Sequence, residues 1–207
     1  MTKWIFMPLF LLFFALVPVL LAIAQDVPTQ STLQLTVALA SVGTFGLMLG
    51  LFWLSRLMPD NTVKMKYSSS MRWHKYIGYV AGLFFLVHPF LMIVRRFWVQ
   101  ESLPMDNLVL MVKSPLMLTG IMAWFLMIVL VVLAFFRKKF PAKVFRYVHG
   151  ALSISFVGFA TLHVLKVGRH SNQAMSAFWI ALAGVAVVSL LVSYIKPLLK
   201  RNEEAVQ

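Results

Sequence analysis

The chain has 207 residues, of which 61% are hydrophobic and 12% charged, about half the charge of a soluble domain, and this excludes an ordinary water-soluble fold. It contains no Cys, which excludes disulfides, thiolate metal sites, iron–sulfur clusters and covalent c-type haem. The formal net charge of +13 is spread in clusters between apolar runs, a pattern of membrane topology rather than of a nucleic-acid surface.

Six apolar runs follow one another, at about residues 4–24, 33–54, 76–94, 115–136, 148–167 and 177–195. Each is close to the roughly 20 residues a helix needs to cross about 30 Å of hydrocarbon. Backbone polar groups cannot go unpaired in lipid, so runs of this length are expected to be helices. The expected fold is therefore an all-α integral membrane protein, one domain over residues 1–207, built as a six-helix bundle. In the first run, Lys3 and the Ala22-Ile23-Ala24 sequence before Gln25 have the look of a signal peptide. The run is longer than a signal core of about 7–15 residues, so it is read as a retained span.

Orientation follows from the bases. Fourteen of the 19 fall on one side: Lys3; Arg56, Lys64, Lys66, Arg72 and Lys75; Arg137, Lys138, Lys139, Lys143 and Arg146; Lys196, Lys200 and Arg201. Arg95, Arg96, Lys113, Lys166 and Arg169 fall on the other. The excess places both termini in the cytoplasm, and the third and fifth spans then both run outward.

Those two parallel spans carry four of the five histidines: His74 and His88 on the third, His149 and His163 on the fifth. Each pair is 14 positions apart. On an α-helix that is just under four turns, so the members of a pair share a face and lie about 21 Å apart along the axis. His74 then falls level with His149 near the cytoplasmic side, and His88 with His163 nearer the outside. Facing neutral imidazoles on adjacent helices can supply both axial ligands of a b-type haem, and polar groups inside a membrane mark functional sites. Gly78, Gly82, Ser153 and Ala160 would let a flat ring approach the backbone, or would simply mark helix contacts. Phe84, Phe85 and Phe156 could pack beside such rings. Candidate partners for haem propionates are Arg72, Lys75 and Arg146 inside, and Arg95, Arg96, Lys166 and Arg169 outside. His170, in a short polar loop, is expected to be solvated. No His/Asp/Glu cluster falls in a connection, so a loop-mounted metal site is not expected.

The segment His74-Lys75-Tyr76-Ile77-Gly78 through His88-Pro89, with His149-Gly150 through His163, resembles the ferric reductase-like transmembrane domain. Iron reductases, NADPH oxidases and the haem subunits of periplasmic methionine sulfoxide reductase systems share that domain. The resemblance covers about residues 33–195. It implies two b-type haems, one held by His74 with His149 and the other by His88 with His163. It also implies electron flow outward from a cytoplasmic flavin reduced by a nicotinamide nucleotide. Many members continue into a flavin- and nucleotide-binding domain. Here no Gly-rich phosphate motif follows the last span, so the flavin or quinone is expected to come with a donor partner. The methionine sulfoxide reductase haem subunits often lack the full set of four histidines that this chain has.

The expected protein is a dihaem cytochrome b of the bacterial inner membrane, embedded in the lipid bilayer. Its donor is a cytoplasmic flavin reductase or a membrane quinol, and its acceptor an extracytoplasmic redox protein or small molecule. Bis-imidazole ligation leaves no open iron site, so no catalytic residue is assigned. Two alternatives are a quinone-linked haem anchor of a larger oxidoreductase, and a non-redox transporter whose histidines relay protons or bind a metal.

Overall fold

The computed structural model describes residues 3–29, 31–56, 67–100 and 104–206. Lys64 and Lys66 lie outside the described residues, as do the side chains of Lys3, Arg56, Arg95, Arg96, Lys196, Lys200 and Arg201. Among the described residues all regular structure is helical, and six stretches are long and apolar enough to cross a membrane. The first consists of α1 (Lys3–Leu11), a π-helical segment (Leu12–Leu16) and α2 (Val17–Ile23). The others are α3 (Thr32–Arg56), α4 (Tyr67–Gln100), α6 (Pro115–Phe135), α7 (Ala142–Val167) and α8 (Gln173–Val206). A short helix, α5 (Pro104–Lys113), lies between α4 and α6, and a 3-10 turn (Arg137–Lys139) between α6 and α7.

The π-helical segment has a local cause. Pro18 has no N–H to give the Phe14 carbonyl, as a regular α-helix would require. The chain passes this point with a wider turn in which the Val17 N–H reaches the Leu12 carbonyl. The first span then lies on α3 along Gly43, Gly46 and Gly50. Gly46 is pressed against the Phe14 carbonyl, where a Cβ would collide with the backbone, and Gly50 accepts the rings of Phe10 and Phe14. Small residues permit this close approach in a membrane, where van der Waals contact has to replace the hydrophobic drive between helices.

α3 is the central element. It packs against the first span, α4 and α8. Phe45 of α3 meets the fully buried Trp179 of α8 edge-on, with ring centroids 5.0 Å apart. Met175, Trp179, Leu182, Ala183, Ala186 and Leu190 bury one stripe of α8 at helical spacing. Ser31 caps α3 by accepting from the Gln34 N–H at 3.2 Å, and Asn172 caps α8 by accepting from the Met175 N–H at 2.9 Å.

The second half of the bundle is the close pair α6–α7, which meets α4 through α6 and α8 through α7. Within α4, Pro89 removes the hydrogen bond to the Phe85 carbonyl, loosening the turn beside it. Trp124 of α6 donates its indole N–H to the neighbouring Leu86 carbonyl at 3.1 Å, tying the two helices together at that point. α4 and α7 are not among the helix pairs that pack closely along their length.

Three helices, α4, α7 and α8, are longer than their apolar cores suggest. α4 begins at Tyr67 and α7 at Ala142, so His74 and His149 lie about two turns inside their helices rather than at the margins. α5 has no counterpart among the six apolar runs. Its start and stop signals are nonetheless present: Pro104 at the beginning, Asp106 in the first turn and Lys113 in the last.

Candidate functional site

All four histidines of α4 and α7 are half-buried. Burying an imidazole is costly unless its polar atoms are used, and α3 supplies partners for α4. Nδ1 of His74 lies 3.1 Å from the Leu51 carbonyl. A carbonyl only accepts, so Nδ1 carries the proton and donates it. Nδ1 of His88 lies 3.2 Å from the Ser41 hydroxyl. That hydroxyl has a single proton, which it gives to the Val37 carbonyl at 2.7 Å, so here too Nδ1–H donates and the Ser41 oxygen accepts. Both rings are held in the same tautomer. In both, the remaining electron pair is on Nε2.

The α7 histidines have close ring and backbone neighbours. His149 stacks on Phe145, one turn earlier, with centroids 5.1 Å apart and planes at 14°. Its own carbonyl accepts from Ser153 Oγ at 2.7 Å. The Arg137 guanidinium of the 3-10 turn lies 5.6 Å from the same Phe145 ring. His163 lies against α6 at Gly120, where a Cβ would come within 2.6 Å of both Cε1 and Nδ1 of the ring. The absence of a side chain at Gly120 is what admits the imidazole.

Between the two histidine levels, Phe85 of α4 meets Phe156 of α7 with centroids 6.4 Å apart, and Phe156 falls midway between His149 and His163. Phe84 and Phe85 also flank His88, at 6.0 and 6.4 Å. The small residues of α4 serve helix contact: Gly78 faces Leu51 of α3, and Gly82 faces Val131 and Met127 of α6. Ala160 is buried in the core.

The cations are placed as follows. Arg146 donates to the Ser193 carbonyl at 2.8 Å and lies 5.3 Å from the Tyr194 ring. The Tyr194 hydroxyl returns a bond to the Arg146 carbonyl at 2.7 Å and rests against Gly150, so this cluster pins α7 to α8 next to His149. Lys75 lies 5.6 Å from the Tyr79 ring, Arg72 and Lys166 are exposed, and Arg169 donates to the Pro28 carbonyl. Arg95 and Arg96 are on α4, with side chains outside the described residues.

His170 departs from expectation. It is not solvated: only 4% of it is exposed. It lies where the α7–α8 turn meets the segment after α2, and the Gln25 amide donates to its carbonyl at 3.2 Å. The polar composition of the turn hides this, because burial there comes from a segment far away in sequence. Among the described residues, neither ring nitrogen has a hydrogen-bond partner of good geometry. Burial lowers the pKa of the ring below its usual value, the Arg169 guanidinium adds to the effect, and the Ala22 carbonyl opposes it. The folded state thus binds fewer protons here than the unfolded chain, whose His titrates near pH ~6.5. The resulting stability is full above that pH and is lost as pH falls through the lower folded value. Thermal unfolding in detergent is expected to occur at lower temperature as the pH drops below ~6.5, with a shallower slope in His170→Gln. Identical slopes in the two proteins would show that His170 does not titrate with folding.

Six membrane-length helices, two of which carry four half-buried imidazoles, define a multi-pass helical membrane protein. The chain belongs to the family described as ferric reductase like transmembrane component, whose model matches residues 39–160. His74, His88 and His149 fall inside the match together with Ser41 and Leu51, and His163 falls just beyond it. The chain is also similar to an uncharacterized protein of Archaeoglobus fulgidus, at 30% identity over 168 residues, covering 79% of this chain and 91% of that protein. No solved structure matches the chain. The family suggests transmembrane electron transfer, and its domains generally bind haem.

Proposed function

We propose that this protein carries single electrons across a membrane on two b-type haems, one held by His74 and His149 and the other by His88 and His163. One observation above all supports this reading: α3 lies against Nδ1 of both α4 histidines, which puts the ring electron pair on Nε2, the kind of donor that an iron ligand requires. A hydrogen bond on the far side of the ring is the usual companion of a metal-bound imidazole. The loose approach of α4 to α7 leaves the two helices to be joined by something other than direct packing. Bound haem would supply one-electron chemistry with little change in coordination.

In this reading the chain's own residues orient the ligands and exclude water. Leu51 and Ser41 hold the α4 rings, Phe145 and Gly120 fix the α7 rings, and Phe85 and Phe156 fill the apolar layer between the two levels. The distribution of bases puts both termini and the Arg137–Lys139 turn in the cytoplasm, so electrons enter at the His74/His149 end and leave at the His88/His163 end. Arg72, Lys75 and Arg146 at the first end, and Arg95, Arg96, Lys166 and Arg169 at the second, are the cations available to haem propionates. The donor is a cytoplasmic flavin reductase or a membrane quinol, and the acceptor an extracytoplasmic redox protein or small molecule. The host is a bacterial inner membrane.

The reading is tested by a reduced-minus-oxidised spectrum of the purified protein together with its haem-to-protein ratio. A b-type spectrum with a ratio near two haems per chain is expected from the four imidazoles. A colourless protein would overturn it.

A further inference from the structure

We infer that Ser41 is a positioning residue of the His88 site, setting the tautomer and the basicity of that imidazole. The inference rests on the dihaem reading and adds to it a residue that belongs to neither ligand-bearing helix.

The argument is geometric. The chain Nδ1–H(His88) to Oγ(Ser41) to carbonyl(Val37) runs in one direction, because only the last group is a pure acceptor. Ser41 is partly buried and stands in a mostly apolar stretch of α3, where few other polar groups compete for the imidazole proton. A ring whose Nδ1–H is accepted by an oxygen is a stronger electron-pair donor at Nε2. Stronger donation favours ferric over ferrous iron and holds the reduction potential down. At His74 the same task falls to the Leu51 backbone carbonyl, which no substitution removes. The two sites are therefore built alike but are unequal to mutation: one anchor can be deleted and the other cannot.

Ser41→Ala deletes the acceptor while leaving both helices and all four histidines in place. The measurement is a spectroscopic redox titration of the purified protein, with the haem-to-protein ratio determined on the same sample. The haem belonging to His88 is identified as the one lost in His88→Ala. Ser41→Ala is expected to raise the potential of that haem alone, by about tenfold in its reduction equilibrium, or about 59 mV for one electron. Its haem affinity is expected to fall by about tenfold, the lower end of the usual cost of losing such a partner. Ser41→Thr, which keeps the hydroxyl, is expected to restore both values. Unchanged potentials in Ser41→Ala with both haems retained would overturn the inference, and so would an equal shift of both haems. If the unmodified protein carries no haem, the dihaem reading itself fails, and the two failures are thereby told apart.

Discussion

Replacing any one of His74, His88, His149 or His163 by Ala is expected to halve the haem bound per chain. Each iron in the proposed arrangement takes one ligand from α4 and one from α7, and a b-type haem has no covalent tether to fall back on. The four substitutions should sort into two classes. His74→Ala and His149→Ala should leave the same residual spectrum and block electron entry. His88→Ala and His163→Ala should leave the other spectrum and block the terminal step. Haem-to-protein ratios and low-temperature difference spectra of the four single variants provide the check. The pairing would be refuted if His74→Ala matched His163→Ala instead, and a protein lacking all four rings that kept full haem absorbance would refute ligation altogether.

The second large effect is expected from a residue with no side chain. Gly120→Ala puts a methyl group within 2.6 Å of Cε1 and Nδ1 of His163. Either the ring leaves its rotamer or α6 moves away from α7, and such overpacking costs about 1–3 kcal/mol. The same methyl group would stand 3.0 Å from Nε2, the nitrogen that would bind iron in the proposed arrangement, so haem should be lost selectively from the His163 site. Gly78→Ala is the natural control, because its new methyl group would meet only Leu51 Cδ1, at an ordinary 3.6 Å. Purified Gly78→Ala should keep both haems, while Gly120→Ala should show a deficit at one. Equal haem content in the two variants would mean that the His163 ring tolerates the intrusion.

Much of this architecture is legible in the residues themselves. Apolar runs of membrane length can only be helices, and two histidine pairs at matching intervals on two such runs stand out because polar rings are costly in lipid. What the sequence hides is whatever depends on a distant partner. Leu51 acts through its carbonyl, so its side chain carries no sign of the role. Ser41 is a lone hydroxyl in an apolar run, a signal that exists but points equally to a bond within its own helix, which it also makes. His170 looks solvated because its neighbours in the chain are polar, yet the segment after α2 covers it. Gly120 and Gly82 are indistinguishable by eye; one faces an imidazole and the other faces Val131 and Met127. α5 was readable from Pro104, Asp106 and Lys113, but it lacks the length that drew attention to the six spans.

The sparse contact between α4 and α7 also bears on how the protein matures. Among the described residues Phe85 meets Phe156 directly, and otherwise the two helices are joined mainly at second hand, through α6 on one flank and through α3 and α8 on the other. A newly inserted chain would resemble two boards on a common hinge. Cofactor capture would then act as the final cementing step of assembly, because a ligand that binds only the closed form stabilises it in proportion to its occupancy. Haem-starved cells should therefore accumulate a full-length chain that proteases cut readily, whereas the same chain from haem-replete membranes should resist them.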